Sequence, residues 1–332
     1  MKKIIALFLA LLLLMTGISA SAEITVTDAA GRTVTLEKPA ERFVSCYYIS
    51  TAALLALGCR GQIAGLEKKA DTRGLYKLAA PELISLPAVG SGKEVNLESV
   101  LVLQPDAVIL PMKLADAADS LAEFGIPALL VSPEDENGFR SCVRMLGAVS
   151  GKADEAESLL AKCDAVTDAL AERLNGAERV SVYMAAESDP LMTYPAGLYQ
   201  DHLITLAGGV NVAGEIENAS KVTVSPEQLL LWDPEIIVIV SGAGYGPEAF
   251  TDNEQFASLR AVRERRVYTM PEGPESWDYP TPSSVLGAAF LCSLTHPDLY
   301  SGESLLADAV DFYRTVYGIE TDAEILGLAP AP

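Results

Sequence analysis

Two histidines, His202 and His296, are all the imidazole chemistry that the 332-residue chain can offer, too few for a three-histidine metal centre or a histidine-built zinc site. No Gly-x-Ser-x-Gly elbow is present to expose a nucleophilic serine. VGSGKE (89–94) lacks the first glycine and the final Ser/Thr of a phosphate-cradling loop, and GAGYG (242–246) lacks the spacing of a dinucleotide fingerprint, so both read as turns. The five cysteines, Cys46, Cys59, Cys142, Cys163 and Cys292, are odd in number and contain no CxxC, which indicates neither a disulfide framework nor a zinc site and leaves room for one incidental bridge. What remains is chemistry that binds rather than transforms. Trp277 in PESWDYPTPS lies between two prolines and two acids, with no regular helical or strand face to bury; a large aromatic so placed either stacks on a ligand or packs on its own loop. Tyr47 and Tyr48 adjoin an apolar helix, so one of the pair can belong to the core. Lys93 and Lys113 can meet anionic groups or simply stay solvated.

The elements that carry these residues occur twice. VNLESVLVLQPDAVIL (95–110) returns as VSPEQLLLWDPEIIVIV (224–240), with Val95, Glu98, Leu101 and Pro105 on Val224, Glu227, Leu230 and Pro234. Asn96 and Ser225 are good helix N-caps, Pro226 suits a first turn, and Ser225 with Gln228 forms a capping box. Pro105 and Pro234 stop the helices, and AVIL and IIVI read as strands buried on both faces. Before the first copy come a hairpin turning at Ala30-Gly31, a strand over 42–46, a helix over 50–58 and a strand over 62–66; after it come a helix near 115–124 and a strand over 127–131. The order restarts with a strand over 179–185, a helix near 200–206, the second copy, a helix near 253–262 and a strand over 266–270. LLALGCRGQIAG (54–65) over LITLAGGVNVAG (203–214) is a weaker second echo. Between the halves, residues 153–174 carry apolar side chains at helical spacing with no breaker, a stiff linker of about six turns. Residues 280–315 suit two closing helices, and the tail GLAPAP frays. The fold class expected is α/β: two similar lobes with parallel-sheet cores, over 23–150 and 177–322, joined by one long helix over 151–176, with a tail over 323–332.

The first 22 residues have a dibasic start, an apolar run from Ile4 to Met15 and Ala20-Ser21-Ala22, the pattern of a secretory signal peptide cut after Ala22. The run is short for a membrane anchor, and no cysteine at the cleavage point can accept a lipid. Loss of Lys2 and Lys3 takes the formal charge from −21 to −23, which makes nucleic acid an improbable partner. An apolar fraction of 50% supplies the cores of two medium-sized units.

TVTDAAGRTVTLEKPAERFVS, NLESVLVLQPDAVIL, LAGGVNVA, VSPEQLLLWDPEIIVIV and LRAVRERRVYTMP, in this order after a signal peptide, resemble the class III periplasmic binding proteins that serve ABC importers of iron–siderophore complexes, haem and cobalamin. The resemblance runs from about Ile24 to Tyr300 and implies two α/β lobes bridged by a long helix, a monomer without a cofactor or resident metal, and an ABC permease and ATPase as partners. It also implies that Glu98 and Glu227, one per lobe, dock against basic residues of the permease. Both positions equally suit a carboxylate that favours a helix N-terminus.

In open α/β sheets ligands gather at the carboxyl ends of the strands. Those ends carry Tyr47, Tyr48, Ser91, Lys93, Met112, Lys113, Tyr194, Tyr199, Tyr245, Trp277 and Asp278. A tyrosine can ligate haem iron or stack on any flat ligand, and the lysines can meet carboxylates, catecholates or phosphates. The ligand class expected is an iron–siderophore first, then a corrinoid or haem, with an oxyanion also served by relatives of this fold. A secreted α/β enzyme and a non-transport solute receptor are the competing functions.

Overall fold

A computed structural model of the chain describes residues 23–217 and 220–328. The signal peptide expected over residues 1–22 and the last four residues of the tail lie outside this range. Strands β1 (Ile24–Thr27) and β2 (Thr33–Leu36) form the hairpin, with Gly31 in the left-handed region at φ 75°. Its DAAGR turn is also an anchor. The Asp28 carboxylate accepts from the Ala30 and Arg32 amides at 3.0 Å, from Arg32 Nη2 at 2.7 Å and from the Leu130 amide at 3.2 Å, while Arg32 Nη2 also donates to the Ala128 carbonyl. Burial alone raises the Asp28 pKa, but the Arg32 guanidinium and these amides hold the carboxyl below its usual range.

The first lobe is a six-stranded sheet built from β3 (Phe43–Ser45), β4 (Ile63–Glu67), β5 (Ala88–Ser91), β6 (Glu94–Val95), β7 (Ala107–Pro111) and β8 (Ala128–Val131), in the order β6-β5-β4-β3-β7-β8. All pairings are parallel except the β5–β6 hairpin. The second lobe uses β9 (Val180–Ala186), β10 (Asp189–Thr193), β11 (Gly209–Asn211), β12 (Val222–Thr223), β13 (Ile236–Ile239) and β14 (Val267–Thr269), in the order β12-β10-β9-β13-β14. β11 adds in parallel to the first half of β9, and β10 runs antiparallel beside its last residues. This antiparallel edge is not evident in the sequence pattern; the parallel core β11-β9-β13-β14 is the counterpart of β4-β3-β7-β8.

The repeat is exact in its mechanics. Asn96 Oδ1 and Ser225 Oγ accept from the Ser99 and Gln228 amides, and helices follow over Leu97–Leu103 and Pro226–Trp232. Each helix closes on a non-glycine left-handed residue, Gln104 at φ 45° and Asp233 at φ 42°, immediately before its proline. The next residue is an acid that ties the following strand to its neighbour. Asp106 accepts from the Glu41 and Arg42 amides at 2.8 and 2.9 Å, and Glu235 accepts from the Ser181 amide at 2.8 Å.

The chain crosses between lobes on the helix Ala153–Arg173, about 31 Å long at 1.5 Å per residue. It follows a 15-residue helix, Glu136–Ser150, that the sequence pattern does not announce because Gly138 and Gly147 interrupt it. Gly147 is needed there: a Cβ on it would stand 2.5 Å from the Ala156 Cβ, so the two helices touch backbone to side chain. The linker also packs on the closing helix Val285–Thr295, which is followed by the helix Gly302–Tyr317. The helix expected near 253–262 is broken into a 3-10 turn at Glu254–Phe256 and a short helix at Arg260–Arg263, because Leu259 is extended and the Arg260 amide is taken by Asp233 Oδ1 at 2.7 Å. Among the described residues all five cysteines are free and buried.

The two left-handed caps differ in one testable respect. Gln104 has no side-chain bond that its replacement would forfeit, whereas Asp233 holds the Arg260 amide. Gln104→Gly is expected to stabilise the protein by about 0.5–1 kcal/mol, and Asp233→Gly to gain nothing or lose stability. Chemical denaturation of the two variants measures the difference.

Candidate ligand-binding cleft

In each lobe a tyrosine just past a strand end, Tyr47 after β3 and Tyr194 after β10, is fixed from below by polar side chains. After β3, Ser50 Oγ donates to the Tyr47 carbonyl at 2.8 Å, and Thr51 Oγ1 bonds both Ser45 Oγ at 2.8 Å and Glu67 Oε2 at 3.0 Å. Tyr47 is thereby held forward, and its hydroxyl donates to Glu134 Oε1 at 3.2 Å, just beyond β8. In the second lobe Asn211 Nδ2 donates to the Tyr194 carbonyl at 2.8 Å, and the Tyr194 hydroxyl donates to Glu187 Oε2 at 3.2 Å, just beyond β9. Lys221 pairs with the other oxygen of Glu187 and lies 5.8 Å from the Tyr194 ring centroid. Tyr47, Glu134, Glu187, Tyr194, Lys221 and Tyr279 line one cleft of about 290 Å³ between the lobes.

Beside it, the turn after β5 lies against Tyr47: a Cβ built on Gly92 would be in ordinary contact, 3.5 Å from the Tyr47 ring and 3.8 Å from Lys113 Nζ. Ser91, Lys93 and Lys113 are therefore at the same edge of the first lobe as Tyr47, with Lys93 exposed and Met112 partly exposed after β7. Outside the cleft lining, Arg73 lies 4.1 Å over the Tyr48 ring, and its buried Nε has no hydrogen-bond partner.

Burial, reinforced by the facing carboxylate, pushes the phenols of Tyr47 and Tyr194 well above their ordinary range. Both are neutral hydrogen-bond donors at physiological pH. Burial also raises the Glu187 pKa, but the Lys221 ammonium more than offsets it and keeps that carboxylate ionised. Among the described residues no group of three or more His, Cys, Asp or Glu side chains is arranged to hold a metal.

Five expected cleft residues are placed otherwise. Trp277 is fully buried, and its Nε1 donates to the Tyr313 hydroxyl at 2.9 Å. The closing helices cover its loop, which gives it the apolar face its local sequence lacks, so it is a core residue. Asp278 is 1% exposed and accepts from Ser241 Oγ beneath the cleft. Tyr199 contributes to the cleft wall but is buried, with its hydroxyl engaged by Ser284 Oγ. Tyr245 turns back to donate to the Ala186 carbonyl at 2.5 Å. Tyr48 is covered by Arg73. In their place the cleft gains Glu134 and Glu187, which follow strands β8 and β9 at the very ends where ligand groups collect, as well as Lys221 and Tyr279. Tyr279 is two residues from Trp277 and 45% exposed; the right loop points the other aromatic outward.

Two parallel-cored lobes on one continuous helix, with paired donors and acceptors gathered between them, have the form of a two-lobed solute-binding protein. Residues 44–274 match the model of the periplasmic binding protein family, and the chain belongs to that family. It is a binding protein, not an enzyme. It is 26% identical to the molybdate-binding protein MolA of Haemophilus influenzae, over 95% of this chain and 97% of MolA. The structure of MolA bound to molybdate superposes with a TM-score of 0.77 at 25% identity, covering 90% of this chain and 99% of that one. A periplasmic solute binding protein from Veillonella parvula gives a TM-score of 0.78 at 25% identity over 92% of this chain and 96% of that one. The vitamin B12-binding protein of Vibrio campbellii is 25% identical over 60% of this chain and 70% of its own length. Among the described residues no helix is long and apolar enough to cross a membrane.

Trp277→Ala is expected to destabilise the protein by about 3–5 kcal/mol, the usual cost of emptying a large aromatic site in a core; thermal or chemical denaturation measures it. Asp278 offers a second test. Burial raises its pKa from 3.8 to about 6, so the folded state holds its proton more tightly than the unfolded chain. Its contribution to stability is therefore full in acid, declines as pH rises from about 4 to about 6, and is gone above that. Asp278→Asn keeps an acceptor for Ser241 and removes this titration. Its stability relative to wild type should improve by about 2 kcal/mol between pH ~4.5 and pH ~7.5, as urea denaturation at the two pH values would show.

Proposed function

We propose that the protein is the extracytoplasmic receptor of an ABC importer, exported by its first 22 residues, and that it captures a compact metal chelate of the iron–siderophore type in the cleft. The observation that carries the ligand class is the pairing of a neutral tyrosine with a carboxylate on each lobe, Tyr47 with Glu134 and Tyr194 with Glu187, around about 290 Å³. Such a cleft presents donors and acceptors from both sides and suits a ligand that carries both. The volume is at the lower end of small-molecule sites, about 300–1,000 Å³, which favours a small chelate over a haem or corrinoid.

A second reading, an oxyanion, draws support from the full-length similarity to MolA. Glu134 and Glu187 count against it, since a bare anion would face two carboxylates in the cleft, offset by Lys221 in the lining and by Lys93 and Lys113 at its edge. Glu98 and Glu227, exposed on corresponding helices of the two lobes, are the proposed contacts with the permease, and the receptor acts as a monomer.

Calorimetric titration with ferric complexes of small citrate, hydroxamate and catecholate chelators, with molybdate, and with haemin and cyanocobalamin distinguishes these classes. One ferric complex is expected to bind saturably, and Tyr47→Phe with Tyr194→Phe to weaken it about tenfold or more. Binding of molybdate alone would establish the second reading; binding of haemin or cobalamin alone, or of nothing in the panel, would overturn the compact-ligand assignment.

A further inference from the structure

The two repeat helices expose more than their glutamates. Val102 is 82% exposed and Leu231 is 79% exposed, far above the other large apolar side chains at the surface, the next being Phe124 at 60%. In the repeat these two residues correspond, and each lies four residues after its glutamate, on the same helical face one turn along. Burial matches position by position from 95 to 107 against 224 to 236, with exposed, half-buried and buried residues in the same order. A single exposed aliphatic side chain needs no explanation. The same exposure twice, at one register in two lobes that otherwise share few residues, contributes little to the stability of either lobe, because both side chains stand largely in solvent.

The charges beside them point to the occupant. Among the described residues neither Glu98 nor Glu227 has an ion-pair partner, although the acids around them are engaged: Asp106 and Glu235 hold backbone amides, and Glu94 pairs with Lys68. Each helix starts on the side of its lobe that carries the cleft and ends at the foot of β7 or β13, so the glutamate is nearer the cleft mouth and the aliphatic residue one turn farther away.

We propose that Val102 and Leu231 are the apolar anchors of the surface that docks on the importer's permease, and that each seats in an apolar socket one helical turn from the basic residue met by Glu98 or Glu227. The inference rests on the importer reading above. Because the two halves of the surface repeat one another, the partner presents the same socket and basic residue twice, related by a two-fold axis. The carboxylates govern encounter and register, and the aliphatic side chains govern residence.

The test uses the permease–ATPase complex of the same host reconstituted in lipid nanodiscs, with binding of the full mature chain measured at low and high salt. Val102→Ser with Leu231→Ser should leave the melting temperature unchanged and weaken docking about tenfold or more at both salt concentrations. Glu98→Gln with Glu227→Gln should weaken it chiefly at low salt. Each aliphatic variant alone should show a comparable loss. If wild type docks and the Val102/Leu231 double variant docks equally well at both salt concentrations, the anchors are refuted while the importer reading stands; if wild type does not dock at all, that reading fails and the anchors with it.

Discussion

The fold depends on one reversal made twice: a short helix must stop, turn back and enter the middle of a parallel sheet within three residues. A left-handed residue ends the helix, a proline forbids its continuation, and an acid then captures backbone amides at the start of the neighbouring strand. Gln104-Pro105-Asp106 and Asp233-Pro234-Glu235 are that device. It fixes where β7 and β13 begin relative to β3 and β9, and so where all four end. The cleft collects at those ends, so the placement of Tyr47 and Glu187 is settled on the opposite edge of each sheet.

Between the lobes the chain tolerates an unusual density of buried acid. Glu67 accepts from the Tyr76 hydroxyl at 2.6 Å and from Thr51, and Glu275 accepts from Ser283 Oγ at 2.6 Å and from the Tyr317 hydroxyl at 3.1 Å. Burial raises the pKa of both carboxyls. Hydroxyl donors rather than full counter-ions satisfy them, with Arg73 the nearby cation. A network of this kind is specific about geometry because each hydroxyl has one acceptor to serve and each unsatisfied group would be costly. It binds the loop that contains Trp277 to the closing helix Gly302–Tyr317 through Tyr313 and Tyr317.

Much of the architecture is legible in the sequence because it is local. N-caps, prolines and doubly buried strands announce themselves within a few residues, and the duplication doubles the signal. The unbroken apolar spacing from Ala153 likewise reveals the linker. The helix Glu136–Ser150 is hidden because its glycines serve a contact with a neighbouring helix, which a local pattern cannot display. The candidate site is legible only by strand end. Tyr47, Tyr194 and Lys113 were placed by that rule, but it cannot say which way a loop side chain points. Trp277 and Tyr279 lie two residues apart, and only the closing helix decides that the tryptophan goes in and the tyrosine out. Glu134 and Glu187 occupy strand ends too, but acids are common at a surface this negative and nothing local distinguishes them.

The contact between Gly147 and Ala156 has a consequence for how the lobes keep their distance. With the linker clamped against the helix before it and against Val285–Thr295 after it, the single crossing of the chain behaves as a gauge block set between two jaws. A helix without glycine or proline inside it twists and bows slightly but does not fold. Whatever enters the jaws is measured against a nearly fixed aperture, and selection falls on the lining of the jaws rather than on how far they can travel.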